Sequence, residues 1–242
     1  MKKKIFIVAN WKMNLSISDS AKLIKALKKI NFNQKLIKVI ICPQFLLIPK
    51  VSELLKKNKI SLGAQDCHYS LSGAFTGDNS CSLLKFFGCK YVILGHSERR
   101  QYHNEKYLTV KQKIITANAL NIKPIVCVGE SLKERQIRNY KLIIINQLKK
   151  CIPDNITEVI VAYEPIWSIG TGIIPKHNEI KEISNLIFNF FSKKKIKVNI
   201  LYGGSVNVNN FNEILSIKNI CGGLVGGASL DSNQLTEMIE KI

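Results

Sequence analysis

Eight short runs rich in β-branched residues recur along the chain, spaced about thirty residues apart on average. They are IFIVAN (5–10), VIIC (39–42), ISLGAQ (60–65), YVILG (91–95), IKPIVCVG (122–129), VIVAYE (159–164), VNILYG (198–203) and GLVGG (223–227). Most are apolar throughout instead of alternating with polar residues, so each reads as a strand buried on both faces. Between them lie segments with apolar residues at helical spacing, such as Ala21-Leu23-Ile24-Leu27-Ile30 and Ile183-Leu186-Ile187-Phe190. This alternation predicts a parallel sheet sheathed in helices. Eight such units in 242 residues suit a closed barrel, so the expectation is an α/β protein with a single (β/α)8 barrel domain over residues 1–242. A doubly wound open sheet would call for a G-x-G-x-x-G turn after its first strand, and that turn is absent.

Composition matters where it excludes partners. No apolar run reaches the ~18 residues of a membrane span. The basic start, Met1-Lys2-Lys3-Lys4, is followed by too short an apolar stretch for a secretion signal, so a cytoplasmic protein without a membrane partner is expected. The 7 cysteines are scattered, with no C-x-x-C pair and no spacing suited to zinc, which predicts core thiols in a reducing compartment and no metal. A net charge of +19 raises nucleic acid as a partner. The cations are almost all lysines, without the interleaved aromatics of an RNA-binding strand, and lysine, isoleucine and asparagine are over-used together. That trio shares AT-rich codons, so compositional drift accounts for the charge and no nucleic-acid partner is expected.

In a barrel of this kind, chemistry gathers at the C-terminal ends of the strands. Asn10-Trp11-Lys12 follows the first run and brings a cation suited to an anionic substrate. His96, in Gly95-His96-Ser97-Glu98-Arg99-Arg100, opens a helix, where the positive end of the helix favours a neutral imidazole able to donate to a carbonyl. Glu164 ends the sixth run, placed as a general base if a lid excludes water. Gly203-Gly204-Ser205 and Gly226-Gly227 follow runs seven and eight, the usual place for a backbone phosphate cradle. A carboxylate, an imidazole, a lysine and a phosphate cradle without cofactor or metal motifs suit proton abstraction beside a carbonyl in a small phosphorylated substrate.

NWKMN (10–14), GAQD (63–66), GAFTG (73–77), GHSERR (95–100), CVGE (127–130), AYEPIWSIGTG (162–172), YGGSV (202–206) and LVGGASL (224–230) stand in one order over the whole chain and resemble the triosephosphate isomerase family. The resemblance implies a TIM barrel that interconverts dihydroxyacetone phosphate and glyceraldehyde 3-phosphate in glycolysis and gluconeogenesis, with no cofactor. It implies Glu164 as base, His96 as electrophile, Lys12 and Asn10 as stabilisers of negative charge, and Glu98 as a supporting carboxylate. Asn10, Lys12, Gly170, Ser205, Gly226 and Gly227 would hold the triose phosphate, under a lid at 165–175. The loop 65–79, with Thr76 near its tip, implies a homodimer in which this loop reaches the partner's site. An aldolase would share the glycine-pair loops, but Tyr91–Gly95 and Val159–Tyr163 offer no inner-strand lysine for a Schiff base. A basic binding protein would rest on the charge alone. Two departures stand out: the stiff distal hinge Ile173-Ile174-Pro175, expected to slow the lid, and Phe188 with Cys221 where the family often has an Arg–Asp pair.

Overall fold

The computed structural model describes residues 3–169, 173 and 175–242. Eight strands, β1 (Ile5–Asn10), β2 (Ile37–Cys42), β3 (Ser61–Ala64), β4 (Tyr91–Leu94), β5 (Lys123–Val128), β6 (Glu158–Tyr163), β7 (Lys197–Tyr202) and β8 (Ile220–Val225), pair in sequence order. All pairings are parallel, and β8 returns to β1 to close the barrel. The helices are α1 (Ile17–Leu27), α2 (Ile48–Leu54), α3 (Cys81–Phe86), α4 (Ser97–Tyr102), α5 (Tyr107–Ala119), α6 (Leu132–Gln136), α7 (Tyr140–Cys151), α8 (His177–Lys193), α9 (Phe211–Ser216) and α10 (Ser232–Glu240). Among the described residues no helix is long and apolar enough to cross a membrane.

The continuous apolar runs are explained by two cores. On β1 and just after it, Ile7, Ala9 and Trp11 join the layer between strands and helices, while Phe6 and Val8 fill the barrel lumen. On β6, Val159, Val161 and Tyr163 face the helices, and Ile160 and Ala162 face the lumen. Side chains alternate along a strand, so both faces need apolar residues here. Truncating a lumen residue such as Ile93, which is almost fully buried, to Ala would cost about 2–5 kcal/mol. The helices begin with local signals as well: Ser16 Oγ accepts from the Asp19 N–H at the start of α1, and Ser131 and Glu134 cap α6 reciprocally.

Strand eight departs from the sequence reading. It starts at Ile220, not Gly223, because a register irregularity between β7 and β8 precedes the glycine pair and hides the period. All seven cysteines are buried and unbridged. Phe188 and Cys221 occupy different layers: Cys221 lies in the lumen and donates to the Ile200 carbonyl at 3.3 Å, whereas Phe188 is half exposed on α8.

Candidate active site

The two-residue period that fills the lumen also builds the site. Continuing the inward rows beyond the apolar layer, Phe6-Val8 leads to Asn10, Ile160-Ala162 to Glu164, and Leu224 to Gly226. These residues meet at the C-terminal mouth, beside a cavity of about 360 Å³. Asn10, Lys12, His96, Ser205, Gly226 and Gly227 all line it.

Glu164 is fixed by its backbone and held by its side chain. Its N–H donates to Val128 O at 2.8 Å, and the Gly203 N–H donates to Tyr163 O at 2.7 Å, so the end of β6 is tied on both sides. Pro165 then supplies no N–H and the ladder stops. The carboxylate is 1% exposed as a residue. Oε2 accepts from the Ser97 N–H at 2.9 Å, and Oε1 stands 3.0 Å from His96 Nε2. The backbone of Glu164 passes close to Gly129, where a Cβ would fall 1.7 Å from the Glu164 carbonyl oxygen. The Cys127 thiol also faces this carboxylate, and burial first, then that charge, push the thiol well above its ordinary pKa.

One short helix start organises both the acid and the imidazole. His96 is the N-cap of α4, and its Nδ1 accepts from the Glu98 N–H at 3.3 Å. An accepting Nδ1 leaves the ring proton of a neutral imidazole on Nε2, the nitrogen turned towards Glu164. The first two amides of α4 are thus shared between Glu164 and His96. Gly95, at φ +70°, makes the turn from β4 that brings His96 to this position. Arg100 braces the turn by donating to Gly95 O at 2.7 Å and to Cys127 O at 3.0 Å.

Lys12 is the cation of the site, and its backbone is strained, with φ at 52°. Asn10 Oδ1 accepts its N–H at 3.1 Å, and Gln65 Nε2 donates to its carbonyl at 2.7 Å, so neighbouring side chains hold the conformation. Nζ lies 2.5 Å from Glu98 Oε1, an ion pair open to solvent at the cavity edge. Opposite, nothing stands within 4 Å of where a Cβ of Gly227 would be, leaving that backbone open. Asn210 shapes the loop after β7 by donating to Ser205 O at 2.9 Å and accepting from the Asn207 N–H.

A buried network behind Glu164 carried no role in the sequence reading. Glu130 Oε1 accepts from Tyr163 Oη at 3.0 Å, Trp167 Nε1 at 3.0 Å and Arg135 at 3.2 Å. Burial pushes Glu130 above the ordinary carboxylate range, while these donors pull the other way. Trp167 sits in a tight turn, Ile166–Ser168, and Ser205 Oγ donates to Ser168 O at 2.7 Å. A second cluster lies outside the mouth: Lys113, its side chain 5% exposed, pairs with Asp66 at 2.8 Å and with Glu105, and Arg99 pairs with Asp66 at 2.9 Å. Burial raises the Asp66 pKa against the pull of Lys113 and Arg99. For Lys113, burial works downward, but Asp66 and Glu105 outweigh it and its pKa is raised.

The structure therefore brings together Asn10, Lys12, His96, Glu98, Glu164, Ser205, Gly226 and Gly227. Gly170 and Ile174 lie outside the described residues, and with them parts of the expected lid and hinge; Ile173 is exposed and Pro175 buried. Sequence reasoning missed Ser97, which acts through its backbone, and Gln65, Arg100 and Glu130, although each stands in a quoted motif. Among the described residues no three His, Cys, Asp or Glu side chains are grouped to hold a metal ion.

Comparison with known proteins agrees over the full chain. The sequence model of the triosephosphate isomerase family matches residues 5–242. A triosephosphate isomerase from Endomicrobium trichonymphae is 38% identical over 246 residues, covering 98% of each chain. One from Wolbachia sp. subsp. Brugia malayi (strain TRS) is 42% identical over 236 residues, covering 98% of this chain and 97% of the relative. One from Thermoanaerobacter pseudethanolicus (strain ATCC 33223 / 39E) is 39% identical over 242 residues, with 96% and 97% covered.

Proposed function

The chain belongs to the triosephosphate isomerase family and is an isomerase, and on that premise we propose that it interconverts dihydroxyacetone phosphate and D-glyceraldehyde 3-phosphate through an enediolate. The observation that carries the mechanism is the pairing of the buried Glu164 carboxylate with His96 Nε2 at 3.0 Å, beside a cavity that also holds Lys12. Glu164 takes the proton from one carbon and returns it to the next. To do so, its carboxylate leaves the Ser97 amide and turns into the cavity, which it does not line in this conformation. His96 donates from Nε2 to the substrate oxygens, and Lys12 with Asn10 stabilises the negative charge that develops there. Glu98 keeps the Lys12 ammonium at the cavity edge. Ser205, Gly226 and Gly227 receive the phosphate, and Gly170 joins them by family resemblance.

The stretch 165–175 closes over the site as a lid and excludes water from the enediolate. Support for a latch comes from its described base, where Trp167 is anchored on Glu130 and Ser168 on Ser205. The protein works as a homodimer. Met13, Leu46 and Phe86 are 88%, 82% and 80% exposed, a pattern that favours burial in an interface. Gln44 and Gln65 tie the loops after β1, β2 and β3 into one surface, and the loop 65–79 with the exposed Thr76 extends from it. Seven unbridged thiols support a cytoplasmic location.

A coupled assay with either triose phosphate tests the base. Glu164→Gln retains an acceptor for the Ser97 N–H, so the fold should survive while turnover falls by about 10²–10⁴. Parent-like turnover in a folded variant would refute the role given to Glu164.

A further inference from the structure

At the end of the barrel away from the cavity, lysines crowd together. β1, β4, β5 and β7 begin with or follow directly on Lys4, Lys90, Lys123 and Lys197, and Lys38 is the second residue of β2. Register places Lys38 opposite Phe6, Lys123 opposite Tyr91 and Lys197 opposite Glu158, so these side chains lie within a residue or two of one level around the rim. The Lys123 N–H donates to Lys90 O at 2.9 Å, joining β4 and β5 at that level. Glu158, at the start of β6, is the carboxylate among these strand starts, and it is already shared: Lys197 lies 3.2 Å from it, Lys123 lies 3.7 Å away, and Asn199 donates to it at 3.0 Å. Burial, and then the ammonium groups of Lys4, Lys90 and Lys123, hold Lys38 below the ordinary lysine value.

Compositional drift scatters lysines over a surface. It does not account for cations from separate strands converging on one partly buried lysine with a single shared carboxylate nearby. Like charges gathered on one rim favour an anion of high valence. β1 and β5 stand four strands apart in the closed barrel, so Lys4 and Lys123 belong to opposite walls of its end. A monophosphate meets one wall, whereas linked phosphates meet both. We propose that this lysine ring at the N-terminal mouth of the barrel is a binding site for a short chain of linked phosphates, separate from the isomerase site. The chain is either free polyphosphate or the tail of a nucleoside triphosphate. The site lies a strand length, about 20 Å, from Lys12 and His96, so its occupancy leaves the reacting groups untouched.

Calorimetric titration with inorganic tripolyphosphate tests this, with glycerol 3-phosphate present in excess to occupy the catalytic mouth. The folded parent should bind one tripolyphosphate per chain. Lys38→Gln with Lys123→Gln should weaken binding at least tenfold with turnover unchanged. Lys25→Gln with Lys28→Gln removes the same charge from α1 and its end, and should weaken binding less than twofold. A parallel titration with ATP separates the sources: affinity equal to or above tripolyphosphate identifies the nucleotide tail, and affinity tenfold lower identifies free polyphosphate. Absence of binding by both, or equal losses in the two double variants, overturns the proposal.

Discussion

At the C-terminal mouth, each charged group has a partner and a direction: Lys12 meets Glu98, and Glu164 meets the Ser97 amide and His96. At the N-terminal mouth, Lys38 feels the charges of Lys4, Lys90 and Lys123, and Glu158 is divided between Lys123 and Lys197. The same strands supply both ends, yet one end is a set of oriented groups and the other a concentration of like charge. Strand geometry alone therefore gathers charge but does not orient it. Short helix starts, strained loops and polar braces do, and they are concentrated where strands run into helices.

Four substitutions probe that contrast. Lys12→Met at the cavity mouth should have the largest effect, lowering turnover by about 10²–10³ with little change in melting temperature, because in the proposed role its charge stabilises the reacting oxygens. A steady-state assay beside a thermal melt reads both, and a loss under fivefold would break the assignment. Lys113→Met should strike stability first. It leaves Asp66 and Glu105 short of a buried cation, costing about 3–5 kcal/mol and roughly 10 °C of melting temperature. The contribution has a sign in pH. The folded pKa of Lys113 is raised, so its stabilisation is fully present below the unfolded lysine value and fades as pH rises through the folded one. The gap between parent and variant denaturation midpoints should accordingly narrow at strongly alkaline pH; a constant gap would contradict the ion-pair account.

Trp167→Phe removes one donor from Glu130 while leaving Tyr163 and Arg135 in place, so about 1 kcal/mol is at stake. If the tryptophan anchors the lid base, turnover should change severalfold; unchanged turnover across pH would uncouple the Glu130 network from the lid. The smallest effect should come from the opposite mouth. The folded pKa of Lys38 is depressed, so its charge costs stability at neutral pH and the cost shrinks as pH rises through the folded value towards the unfolded one. Lys38→Gln should then raise the melting temperature by about 1–2 °C, the scale of roughly 0.5 kcal/mol, with turnover unchanged. A fall in melting temperature would erase the distinction between the two ends.

Much of the barrel was legible because a strand buried on both faces has no polar alternation to confuse it, and Ile160-Ala162 points directly to Glu164. The candidate catalytic side chains at strand ends stood out for the same reason, as polar residues closing apolar runs. What escaped notice has physical causes. Ser97 contributes an amide, so its side chain gives no clue. Glu130 draws donors from Arg135, five residues on, and from Tyr163 and Trp167, which the pairing of β5 with β6 brings beside it. Each lysine at the far mouth is unremarked alone, since a lysine before a buried strand is ordinarily a solvated end. The start of β8 was hidden because its glycines and the irregular register with β7 break the period.

The loop after β3 closes on itself. The His68 N–H donates to Asn79 O at 2.8 Å, and the rings of His68 and Phe75 pack 4.0 Å apart within the loop. This neck makes the intervening stretch a cassette: its ends meet before the chain re-enters the barrel, so its length and lettering can change without moving β3 or α3. A chain built this way can revise how it meets other molecules at that edge while its own strands and helices are left as they stand.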